Sequence, residues 1–161
     1  MSRDATLTRA VAIDYALRYA DEGNDEFWQF DNDCTNFVSQ CWNKGGIPET
    51  AGWYWQNRLD YSHSWTVVDD FADYMVNISR NYTSDRISVA VFKDLSEAQP
   101  GDIIQFKNYD DVWHHSAIIT NISNGEIYYA QHTENAKNKE LSKVYPSKEK
   151  EVRIISPISA V

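Results

Sequence analysis

The residues in this 161-residue chain best equipped for covalent chemistry are its two cysteines, Cys34 and Cys41, and its four histidines, His63, His114, His115 and His132. A thiol becomes a nucleophile when its thiolate is stabilised, and the first turn of a helix does this with its positive dipole end and unpaired N–H groups. The segment Asp33 to Trp42 reads as helix, with Asn32 or Asp33 as a natural N-cap and Gly45 as a natural stop. Cys34 therefore falls in the first turn, where a depressed pKa is expected, and the amides of Cys34, Asp33 and Asn32 are candidates to bind an oxyanion. Cys41 lies two turns further on, about 10.5 Å along the axis, too far for a disulfide. It is expected to be a buried small hydrophobe.

A thiol needs a base. The runs Ser116–Ile122 and Ile127–Gln131 flank Asn124-Gly125, the strongest sequence signal for a two-residue type I′ hairpin. If that pair is the loop, Ser123 faces Glu126 and, carrying the register onward, Ala117 faces His132. Side chains alternate across a strand, so His115 and His132 are expected on one face and His114 and Gln131 on the other. His115 is then the general base for Cys34, and His132 the residue that orients it; a one-residue slip would put Gln131 there instead. His63 and His114 read as loop or surface histidines.

These residues need a scaffold. Leu7, Val11, Tyr15 and Tyr19 recur at helical spacing within a first helix, Ala5 to Glu22. After the cysteine helix come a loop, residues 50 to 61, and a third helix, Trp65 to Arg80, with Val68, Phe71, Met75 and Ile78 on one face. Strands are expected at Ile87–Phe92, Ile103–Phe106, Ser116–Ile122, Ile127–Gln131 and Val152–Ile155, and an exposed loop at Lys137–Glu151. Helices first and strands after suggest an α+β fold, with a small antiparallel sheet or half-barrel packed on the cysteine helix. The length fits one domain, 1–161.

Composition narrows the partners. A net charge of −9 with scattered basic residues argues against nucleic acid, and no apolar run is long enough to span a membrane. No leader peptide is evident, so a secreted or cell-wall location requires one already removed. A monomer is expected. No cofactor is implied, and no metal: two cysteines do not make a structural zinc site, no His-Glu-x-x-His motif is present, and Asp69, Asp70 and Asp73 read as a solvated helix face. Trp53, Trp55 and Trp113, with Tyr54 nearby, are candidates to line a substrate groove, as aromatic faces suit sugars and peptides.

Five blocks together carry a resemblance: Asp33-Cys34-Thr35-Asn36-Phe37-Val38-Ser39-Gln40, Ser64-Trp65-Thr66, Gly101 to Phe106, His115 to Thr120, and Gln131-His132-Thr133. They resemble the putative amidase domain family of Gram-positive bacteria, itself similar to the papain-like cell-wall hydrolases of the NlpC and CHAP types. The resemblance implies a papain-like fold and hydrolysis of amide or peptide bonds, with peptidoglycan or a peptide as substrate. It also implies Cys34 as nucleophile, His115 as base and His132 as orienting residue. The family pattern often has Asp before the catalytic His, where this chain has His114. Two other classes fit the same residues: an acyltransferase using the same Cys-His pair, and a wall-binding module without chemistry.

Overall fold

A computed structural model describes residues 5–77 and 88–161. Its elements run β1 (Thr6–Leu7), α1 (Arg9–Tyr19), α2 (Cys34–Lys44), β2 (Trp55–Asn57), β3 (Asp60–Tyr61), α3 (His63–Thr66) and α4 (Val68–Val76), then β4 (Ala90–Lys93), β5 (Ile103–Lys107), β6 (Trp113–Ser123), β7 (Glu126–Gln131), β8 (Ala136–Glu140), β9 (Glu151–Pro157) and β10 (Ser159–Ala160). Mixed α and β structure with helices first is thus what the chain forms. Six strands make one antiparallel sheet in the order β4-β9-β5-β6-β7-β8.

Helix α2 is the centre of the molecule. From Cys34 to Trp42 every residue is buried, so the polar ones must find partners inside. Asn36 donates to the Trp28 carbonyl and to Asp33 and accepts from Trp65 Nε1, Ser39 donates to the Trp65 carbonyl, and Gln40 accepts from Tyr15 Oη. Those bonds fix the helix in rotation as well as in position.

Helix α1 is shorter than the expected Ala5–Glu22, and its buried face is Ala12, Ala16 and Ala20 rather than the larger residues; Val11 is 46% exposed. Small side chains let α1 approach α2 closely. A Cβ on Gly45 would come within 2.9 Å of Ala12 Cβ, so that approach leaves no room for a larger residue. The expected third helix is two pieces, α3 and α4, broken at Val67, whose extended backbone (φ −110°, ψ 130°) interrupts the turn. Ile78 to Arg80, and Ile87 of the next expected strand, lie outside the described residues. Within the expected loop 50–61, β2 and β3 form a short hairpin. Lys137–Glu151, expected to be loop, holds most of β8 and a 3-10 turn, Leu141–Lys143.

In a separate two-stranded sheet, β1 and β10 pair in parallel and bring the two ends of the described chain together. Thr6 Oγ1 meets Ser159 Oγ at 2.8 Å, and main-chain bonds join Arg9 N–H to Val161 C=O and Val161 N–H to Leu7 C=O, each 2.9 Å.

Candidate active site

The β6–β7 hairpin decides which side chains meet. Asn124 and Gly125 both have positive φ (53° and 79°), as a type I′ turn requires. Pairing starts as the turn dictates, with Ser123 opposite Glu126, Ile122 opposite Ile127 and Asn121 opposite Tyr128. It then jumps: Ile119 faces Tyr129 and Ile118 faces Ala130, leaving Thr120 as the extra residue of a β-bulge. The shift puts Gln131, and not His132, on the face of His115. The expectation that His132 lies beside His115 is therefore corrected, because one inserted residue exchanges the two faces of everything beyond it.

His115 Nε2 lies 2.6 Å from Gln131 Oε1. The amide cannot be turned around, since Gln131 Nε2 donates to the Thr133 carbonyl (3.3 Å) and the Glu134 carbonyl (2.8 Å). Both carbonyls come from a turn of two left-handed residues, Thr133 (φ 62°) and Glu134 (φ 60°). With Oε1 as acceptor, the proton of neutral His115 sits on Nε2 and Nδ1 is left as a base. Burial holds the ring pKa down at about 4, the Gln131 hydrogen bond works in the other direction, and His114 and Lys139 add to the lowering. The neighbouring His114 points outward and meets Glu149 at 2.8 Å.

Cys34 opens α2 and is buried. Burial pushes its thiol up from the ordinary value, against the expected depression, and the Asp33 carboxylate adds to this. The amides of Ser116 and Thr35 and the Thr35 hydroxyl favour the thiolate and oppose the rise. Ser116 is the neighbour of His115 in sequence. The thiol reaches Asn32 Oδ1 at 3.5 Å. Asn32 in turn lines a cavity of about 440 Å³ shared with His115, Gln131 and Phe106, with Lys139 and Glu134 also on its wall. Cys41 is buried in the core, where burial raises its thiol well above the usual value.

His132 has another place. Its Nδ1 lies 2.6 Å from Asp33 Oδ2 and its Nε2 2.7 Å from the Tyr19 carbonyl, and its ring stacks on Phe37 with centroids 4.0 Å apart. Both nitrogens face acceptors, so the ring satisfies both only by donating twice. Asp33 makes no side-chain cap bond to α2; its other oxygen takes the Phe30 amide (3.0 Å) and Asn36 Nδ2 (2.8 Å). Its own amide donates to Thr133 Oγ1 at 2.8 Å. That removes Asp33 from the expected set of oxyanion donors.

The aromatic candidates separate in the same way. Trp53 is fully buried, with Nε1 on Ser39 Oγ at 3.2 Å, so it is a core residue and not a groove residue. Trp55 is half-buried in a cluster with Phe30 and Tyr61. Trp113, also half-buried, carries Arg153 over its face at 4.0 Å. Among the described residues no group of three or more His, Cys, Asp or Glu could hold a metal ion.

The family model for the putative amidase domain matches residues 6–155. The chain is 29% identical over 126 residues to the uncharacterized protein YhbB of Bacillus subtilis, covering 74% of this chain and 39% of that protein. It is 30% identical over 132 residues to the uncharacterized protein YjcM of the same organism, covering 80% and 31%. The chain thus spans between about a third and two fifths of the length of these relatives. No solved structure matches the chain significantly.

Proposed function

We propose, on the premise that this chain belongs to the putative amidase domain family, that it is a cysteine-dependent hydrolase of amide bonds with a papain-like Cys-His-Gln arrangement: Cys34, His115 and Gln131. The observation that carries the reading is the locked Gln131 amide, which holds the His115 proton on Nε2 and leaves Nδ1 unprotonated.

In the reaction Nδ1 of His115 takes the Sγ proton as Cys34 attacks the substrate carbonyl. The resting pair is thiol and neutral imidazole, because burial raises the one pKa and lowers the other. The oxyanion is received by the Cys34 N–H, which at the first helical position lies outside the helical ladder. His115 then returns the proton to the leaving amine, and water resolves the thioester by the reverse path. The cavity beside His115 offers both polar and apolar walls to a substrate, Gln131 and Lys139 on the one hand and Phe106 and Val144 on the other. We assign peptide amides of bacterial cell-wall peptidoglycan as the substrate class, with the half-buried Trp55 and Trp113 as flanking surfaces, action outside the cytoplasm, and a single domain working as a monomer.

Mass spectrometry of purified peptidoglycan after incubation tests this. Free amino termini should accumulate, and a thiol alkylator should stop their release while a chelator should not. Release that survives alkylation would reject the cysteine mechanism.

A further inference from the structure

Behind Cys34 a line of buried polar groups crosses the sheet. Thr35, Ser116 and Gln105 are each fully buried, and no apolar packing need requires three such residues in a row. Arg153 Nε donates to Gln105 Oε1 at 2.8 Å. That contact fixes the Gln105 amide, so its Nε2 is the end that donates to the Val68 carbonyl (3.0 Å) and to Ser116 Oγ (3.1 Å). Ser116 Oγ keeps its own proton to give, and among the described residues the partner left to accept it is Thr35 Oγ1, at 2.9 Å. Thr35 Oγ1 has accepted in turn. Among the described residues the partner left for its proton is Cys34 Sγ, at 3.7 Å. The Arg153 guanidinium and the Val68 carbonyl together fix the Gln105 amide from which the series starts.

We propose that Arg153, Gln105, Ser116 and Thr35 form a directional hydrogen-bond chain that aims the Thr35 hydroxyl at Cys34 Sγ and stabilises the thiolate. Thr35 is the positioning residue that acts on the sulfur, and the other three act through it. No proton is transferred along the chain. Each link is polarised by the one before it, and in a dry interior that polarisation is strongest. The cation at the head is itself held in place, 3.2 Å from Asp69 Oδ1 and stacked on Trp113. The chain thereby offsets part of the burial that pushes the thiol up. This deepens the reading of Cys34 as a nucleophile and rests on it.

The test needs no substrate. The full chain is treated with iodoacetamide across a pH series, and modification of the Cys34 peptide is followed by mass spectrometry, which separates it from Cys41. The midpoint of the pH profile reads the thiol. Thr35→Val should move that midpoint upward by about one unit, since one hydrogen bond to the charged form is lost. Thr35→Ser should restore it. Ser116→Ala should shift it in the same direction, and the double variant Thr35→Val/Ser116→Ala should shift no further than Thr35→Val alone. Arg153→Gln, remote from the sulfur, should give a smaller upward shift. An unmoved midpoint in Thr35→Val or in Ser116→Ala, or shifts that add in the double variant, would overturn the proposal. Should Thr35→Val fail to fold, the Ser116→Ala and Arg153→Gln profiles still decide. Because alkylation is independent of turnover, absence of amidase activity rejects the functional reading and leaves this result standing.

Discussion

Two histidines lie on opposite faces at the same end of the β6–β7 hairpin, and they are built for opposite purposes. His132 has both nitrogens committed, to a carboxylate and to a main-chain carbonyl, and its ring is sealed against Phe37. His115 has one nitrogen committed, to Gln131, and borders a cavity. A ring with both nitrogens engaged ties elements together: His132 links the end of α1 to the residue before Cys34. A ring with one nitrogen free can take a proton and give it back. Chemical type did not distinguish the two, and the number of committed nitrogens does.

The comparison can be broken most severely at the sulfur. Cys34→Ser should leave the fold intact by circular dichroism and lower turnover of a cleaved peptide at least about a thousandfold, as removal of a nucleophile does. Cys41→Ser should retain activity and lose stability.

Next come the two histidine partners, which should fail in different currencies. His132→Ala leaves Asp33 Oδ2 and the Tyr19 carbonyl buried without their partner, a loss of about 3 kcal/mol in denaturant unfolding. Gln131→Ala should cost little stability but lower kcat by about tenfold to a hundredfold, because the His115 tautomer is no longer imposed. If His132→Ala lowered kcat more than Gln131→Ala at equal folded fraction, the assignment of roles would be reversed.

The pH dependence sharpens the contrast further. Burial holds His115 near 4 against an ordinary 6.5, so its base form persists in acid and the acid limb of kcat/KM should lie near 4. The sign for stability follows from the same shift. Between those two values the unfolded chain binds a proton that the folded ring does not, so this group's contribution to stability is present above 6.5 and is lost as pH falls toward 4. Thermal unfolding of the parent and of His115→Gln across that window should converge at the acid end. The smallest effect is expected from Trp55→Ala, a rise in KM with little change in kcat, whereas Trp53→Ala should cost about 3 to 5 kcal/mol of stability because it empties a core site.

How much of this was legible in the sequence depended on how local the determining interaction was. The cysteine helix was readable because its start and stop signals lie within a few residues of its ends. The buried face of α1 was not, because close packing on α2 favoured Ala12 and Ala16 over the larger periodic residues. Strand β8 is a polar edge strand whose Lys137, Asn138 and Lys139 look like loop. The turn at Asn124-Gly125 could be read, yet the bulge at Thr120 could not, since Thr120 is an ordinary strand residue and its Oγ1 donates to Asn138 of β8, across β7. That one silent position put Gln131, and not His132, beside His115. Thr35 was visible within its block, but its reach to Ser116, eighty-one residues away, exists only in the fold.

The pairing of β1 with β10 has a mechanical consequence. The strands run in parallel, so tension applied between residue 6 and residue 160 pulls them past each other lengthwise, loading their few hydrogen bonds together and not one after another. Shear of this kind resists strongly over a short distance and then yields at once. The elements that would yield are the two-residue strands, while the sheet and α2, bonded through their own networks, would carry load only afterwards.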